Sequence, residues 1–254
     1  MNEVLDDVWV ERIERLALGL VPHDAITSTR VREGLHVRIE RAAGPEPLPR
    51  HATNAFAAWL TLLPGDEVDV LAADGERWYV PRRLRIQLTT DPSTSAAERT
   101  LEPLLHPGAG HPLPARATGI RGRVTRDGEP MRWARVELLD PRTGRRLVTA
   151  HGDDRGDFVA VLGPSANGAV PPGPIPVRVR VHGPAVAPPF DPEDVLADLP
   201  VEIVPVPGRA PDVGVASGAV PPPGYVPTTT GDVDVDLPLG VMRSADLDPF
   251  PFAS

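Results

Sequence analysis

The chain has 254 residues, a net charge of -9 and a pI near 5.3, with 41% hydrophobic but only 4% aromatic residues. That length suits two domains, and 33 prolines with 23 glycines exclude a helix bundle or a doubly wound fold, because they interrupt helices too often. The lack of cysteine excludes disulfides, thiolate metal sites and cysteine nucleophiles, while basic residues that are all arginine and scattered argue against a nucleic-acid partner.

The N-terminal residues are acidic, place Arg12 and Arg15 before the first apolar run and contain no uncharged signal core. No apolar run reaches membrane length. The expectation is a protein made and kept in the cytoplasm, alone or within an assembled particle. Val4, Val8, Glu11 and Arg15 share a helical face, so a helix is possible over 3–18, but the alternation of Leu16, Leu18 and Leu20 opposes its continuation.

From there the period is two. Leu35, Val37 and Ile39 alternate, as do Phe56, Ala58, Leu60 and Leu62, then Val68 and Val70, then Leu84, Ile86 and Leu88. Turn chemistry at Pro22 to Asp24, Pro64 to Asp66 and Asp74-Gly75 separates them. Short alternating strands of this kind predict a β-sandwich over 1–90. Residues 91–117 lose the alternation and gain proline, glycine, His106 and His111, which predicts a linker.

Alternation returns with Ile120, Gly122 and Val124, then Val136 and Leu138, Leu147 and Thr149, and Phe158, Ala160 and Leu162. Ile175, Val177, Val179 and Val181 form the most regular run, with Arg178 and Arg180 on the opposite face. Val201, Ile203 and Val206 would add an edge strand, flanked by Pro200 and Pro205. The second sandwich therefore spans 118–205, and 206–254 is expected to be an extended, proline-rich tail.

The segments Ile120-Arg-Gly-Arg-Val124, Gly128-Glu-Pro130, Ala134-Arg-Val136 and Asp154-Arg-Gly156-Asp-Phe158 resemble the carboxypeptidase regulatory-like module, a small sandwich of transthyretin or immunoglobulin type. The resemblance covers about 45 residues and implies a fold rather than an activity, since the module is not itself catalytic. Residues 24–39 echo its opening more weakly, and Tyr79-Val-Pro81 lies near the end of that first unit. The whole layout is similar to carboxypeptidase regulatory-like proteins that accompany phage-tail-like contractile injection systems. That similarity implies a structural or adaptor subunit.

Catalytic patterns are missing where they would be needed. No Gly-x-Ser-x-Gly elbow occurs, Pro164 to Gly168 being a loop, and no His-Glu-x-x-His occurs. His106 and His111, in a Pro/Gly segment, read as surface residues rather than ligands, and no metal or cofactor is expected. Asp232, Asp234 and Asp236 share a face but lack the glycine and distant glutamate of a calcium loop, so they read as a solvated acidic tail. Arg155-Gly156-Asp157 has the form of an integrin-type tripeptide, yet the corner of the module explains its glycine, and His151, Asp153 and Asp154 lead into that corner.

The expected protein is thus all-β and not an enzyme, with other protein subunits as partners and no membrane, nucleic acid or small-molecule substrate. A surface adhesive or carbohydrate-binding protein is the alternative, as is an accessory module of a separately encoded hydrolase. The candidate partner-binding residues are Leu247, Phe250 and Phe252, because two of the 5 phenylalanines fall in the last five residues of a tail that lacks a core of its own.

Overall fold

A computed structural model describes residues 2–5, 8–11, 16–51, 55–59, 67–89, 91, 93–163, 173–204 and 213–254. The N-terminal stretch that admitted a helix contains instead β1 (Asn2–Leu5) and β2 (Val8–Glu11), an antiparallel hairpin rich in β-branched valine. Leu60, Leu62, Val206 and the turns at 64–66 and 164–168 lie outside the described residues.

In the first module, β5 (Leu35–Glu40), the short β6 (Glu46–Pro47), β8 (Glu67–Asp74) and β9 (Arg82–Gln87) form an antiparallel sheet. Leu35, Val37, Ile39, Val68, Val70, Leu84 and Ile86 point from it into one core, as their alternation requires. β3 (Leu16–Leu20) and β7 (Phe56–Trp59) pair antiparallel and supply Leu18, Leu20 and Phe56 to the same core.

The second module has its own core between two sheets. One holds β12 (Gly119–Arg126), β13 (Glu129–Pro130) and β16 (Asp157–Val161), and the other β14 (Arg135–Leu139), β15 (Arg146–His151) and β17 (Ile175–Pro184). The turn between β12 and β13 has Asp127 at φ 54° and Gly128 at φ 85°, the left-handed pair that a tight hairpin needs. Phe158, Ala160 and Leu162 are all buried, in the phase expected.

Three segments depart from the sequence expectation. The supposed linker contains β10 (Thr100–Leu101) and β11 (Leu104–Leu105), which pair in parallel with β3 and with β4 (His23–Asp24) of the first module. β18 (Val201–Val204), expected at the edge of the second module, instead pairs in parallel with β9 of the first. Its inward residues are Glu202 and Val204, while Ile203 is 52% exposed, so the apolar phase read from the sequence is inverted there.

The supposed tail folds as well. It holds the short helix α1 (Val213–Ala216), then β19 (Tyr225–Pro227), β20 (Val233–Leu237) and β21 (Met242–Phe252). β19 and β20 both pair with β17, and β21 runs parallel to β12, with a register shift after Gly122. Phe250 and Phe252 are therefore 4% and 2% exposed in the second core rather than held out for a partner, and the side chain of Leu247 lies outside the described residues. The acidic run lies on and beside a strand rather than in a tail, although Asp234 and Asp236 stay exposed as expected: Asp232 takes a bidentate pair from Arg180, and Asp234 accepts from Arg178. Cross-strand register, with Arg178 opposite Asp234, explains that ladder.

The fold is all-β apart from α1 among the described residues, and no helix there is long and apolar enough to cross a membrane.

Candidate functional site

The densest chemistry lies where the two modules meet. Arg82 opens β9 in phase with the buried Leu84 and Ile86, Arg135 opens β14, and Glu202 sits on β18; all three side chains are buried. Arg82 donates from Nε to Glu202 Oε1 at 3.1 Å and from Nη2 to Oε2 at 2.5 Å, and Arg135 Nη2 donates to Oε1 at 3.1 Å. The remaining Arg82 protons go to the carbonyls of Leu104, Ala216 and Val215. One carboxylate thus joins both modules, and Arg82 also ties down the former linker and tail. Burial alone would raise the Glu202 carboxyl, but the Arg82 and Arg135 charges hold it below its ordinary range.

Two histidines complete the cluster. The rings of His106 and His151 stack with centroids 3.8 Å apart, and their Nε2 atoms donate to the carbonyls of Ser217 and Gly218, at 2.9 and 3.0 Å. Gly218 has φ +69°, and a Cβ there would stand 2.7 Å from His106 Nε2 and from His151 Nε2, so only glycine fits the turn over the two rings. Burial pushes His106 down to about 4, reinforced by the Arg82 charge; burial and the Arg135 charge push His151 well below its ordinary range.

This pair has a pH signature. The folded chain keeps His106 neutral down to about 4, whereas the unfolded chain protonates near 6.5, so between these values the unfolded state binds more protons. Stability is full above about pH 6.5 and falls as the pH drops towards 4, by roughly 3 kcal/mol for His106 alone. The depressed carboxylates of Asp24 and Glu202 add in the same direction only at more acid pH. Urea midpoints across this window check it: a flat profile would contradict a neutral buried pair, and His106→Gln should flatten the slope.

A second buried constellation pins the 106–111 segment to the first module. Asp24 Oδ2 accepts from Tyr79 Oη at 2.8 Å and from His111 Nε2 at 3.0 Å, while Oδ1 accepts from the amides of Ile26 and Thr27. Burial opposes the Asp24 charge, but these four donors outweigh it and hold the carboxyl well below the usual range. Tyr79 is pushed up by burial and by the adjacent carboxylate. An Asp-His pair invites a catalytic reading, but each Asp24 oxygen is already committed to structural donors. His106 and His111 are both buried, which corrects their reading as surface residues.

A cleft of about 660 Å³ opens beside this junction, with His106 and Ser217 on its wall and Leu147, Val161 and Leu162 of the second module across from Ile26 and Leu104 of the first. No group of three or more His, Cys, Asp or Glu suited to a metal ion occurs among the described residues. In the 155–157 tripeptide, Gly156 has φ +75° and a Cβ there would meet Val124 O at 2.7 Å, while Asp157 pairs with Arg123. Both features serve the corner.

Sequence reasoning missed Arg82, Arg135, Glu202 and His151 as one cluster. A signal existed for Arg82, an arginine on the apolar phase of a strand. None existed for Glu202, whose partners lie 120 and 67 residues away. No protein-family model, curated protein or solved structure matches this chain.

Proposed function

We propose that the chain is a non-enzymatic structural or adaptor subunit of a multiprotein assembly, of the phage-tail-like contractile kind its layout resembles, built on transthyretin-like sandwich modules. The observation that carries this reading is the Arg82–Glu202–Arg135 clamp, which uses the most deeply buried charges to join the two modules into one body rather than to face a substrate. A rigid body presenting sheet edges and ordered loops suits transmission of position between neighbours. Among the described residues, the exposed aromatics Trp78 and Phe190 lie outside the named strands, in loops and not on a flat sheet face, which favours this reading over a carbohydrate-binding platform.

The test is sedimentation of particles from cells producing an epitope-tagged chain. Co-sedimentation with sheath and tube proteins, lost when those proteins are deleted, is the expected result. A chain that remains in the soluble fraction while particles form normally would overturn the proposal.

A further inference from the structure

One loop and one cleft on this chain have complementary chemistry. The 185–195 segment is exposed throughout, with Val186 at 82% and Phe190 at 58%. It is nevertheless ordered. Arg132 lies over one face of the Phe190 ring, 4.8 Å from its centroid, and is itself fixed by a bidentate pair with Asp198 at 2.6 and 2.8 Å. Asp198 also accepts from Trp133 Nε1 at 2.8 Å. Asp191 caps the amide of Glu193, and Asp194 caps that of Leu196. Phe190 is thus presented on a stiffened proline-rich tip whose own charges, Asp191, Glu193 and Asp194, are all acidic.

The cleft is the reverse. Ile26, Leu104, Leu147 and Leu162 give it apolar walls, Arg116 and Arg146 stand at it, and no carboxylate lines it among the described residues. Arg146 is partly neutralised by Glu137, but Arg116 is exposed and makes no carboxylate pair among the described residues. At about 660 Å³ the space accommodates an aromatic ring with flanking prolines. The loop and the cleft share no residue.

We propose that the 188–194 loop of one copy seats Phe190 in the interdomain cleft of a second copy, with Asp191, Glu193 and Asp194 facing Arg116 and Arg146. The two surfaces differ, so the contact is heterologous, and repetition yields a ring or an open stack rather than a closed two-fold dimer. A preordered aromatic entering an apolar pocket is the usual form of an interface hot spot, because little side-chain entropy remains to be lost. The inference concerns self-association alone and holds whichever other subunits the chain meets.

The test uses the full chain in sedimentation equilibrium. Wild type should gain mass with concentration and lose it with added salt, as the charged rim is screened. Phe190→Ala removes the knob and Arg116→Glu damages the cleft, and both positions are exposed, so each variant should keep the wild-type melting curve. Each alone should be monomeric. Mixed, they should form a discrete 1:1 dimer, the intact loop of Arg116→Glu entering the intact cleft of Phe190→Ala. A wild type that stays monomeric up to its solubility limit, variants that associate like wild type, or a mixture that stays monomeric would each overturn the proposal.

Discussion

Glu202→Ala is expected to destabilise the protein by about 3 to 5 kcal/mol, the range for removing one partner of a buried ion pair. The loss is large because two guanidinium groups remain. Arg82 and Arg135 are 0% and 2% exposed, and without the carboxylate both keep carbonyl acceptors but no compensating charge. Backbone carbonyls satisfy N–H groups without offsetting the cost of holding cations out of water. The urea midpoint of the variant measures the effect. A loss below about 1 kcal/mol would mean that water reaches the cluster and the clamp does not join the modules. Replacing the set with apolar residues, Arg82→Met with Arg135→Met and Glu202→Leu, should recover much of the loss, because no charge is then stranded. Failure of the triple variant to improve on the single one would locate the role of the clamp in its hydrogen bonds to Val215, Ala216 and Leu104.

Phe158→Ala should cost about 3 to 5 kcal/mol, the range for emptying an aromatic site in a close-packed core. Phe158 is 1% exposed, and its ring lies 5.6 Å from that of Phe250. The two rings occupy the space over Gly122, where a Cβ would stand 2.9 Å from Phe158 Cε1 and 2.9 Å from Phe250 Cε2. Because β12 runs beneath both rings and pairs with both of their strands, collapse into the cavity would require moving a strand paired on either side. Little relaxation is therefore available, and the loss should lie in the upper part of the range. Chemical denaturation of Phe158→Ala and Phe158→Leu checks this, with leucine expected to restore a substantial share. A cost under about 1 kcal/mol would place the ring outside the core.

Much of the strand content was legible from local pattern. Leu35 to Ile39, Leu84 to Ile86 and Ile175 to Val181 alternate because one face of each is buried, and a period of two survives whatever the strand pairs with. The Asp127-Gly128 turn and the Gly156 corner were legible for the same reason, since their backbone angles are a property of a few neighbouring residues.

Local pattern alone therefore establishes a chain of short strands with two cores and no cysteine chemistry. Which strand joins which sheet was settled by pairing between distant segments. Val201 to Val204 reads as an apolar strand of the nearer module, yet it crosses to β9 because Glu202 finds Arg82 there and Arg135 beside it, an attraction with no local signature. The C-terminal residues read as a tail because prolines break their alternation. They fold because β12 and β17 each offer an edge, with acidic residues opposite Arg178 and Arg180 and a core lacking two aromatic rings until Phe250 and Phe252 enter it. Burial and charge pairing between distant segments are sums over the whole fold, and a local pattern carries only its own share of them.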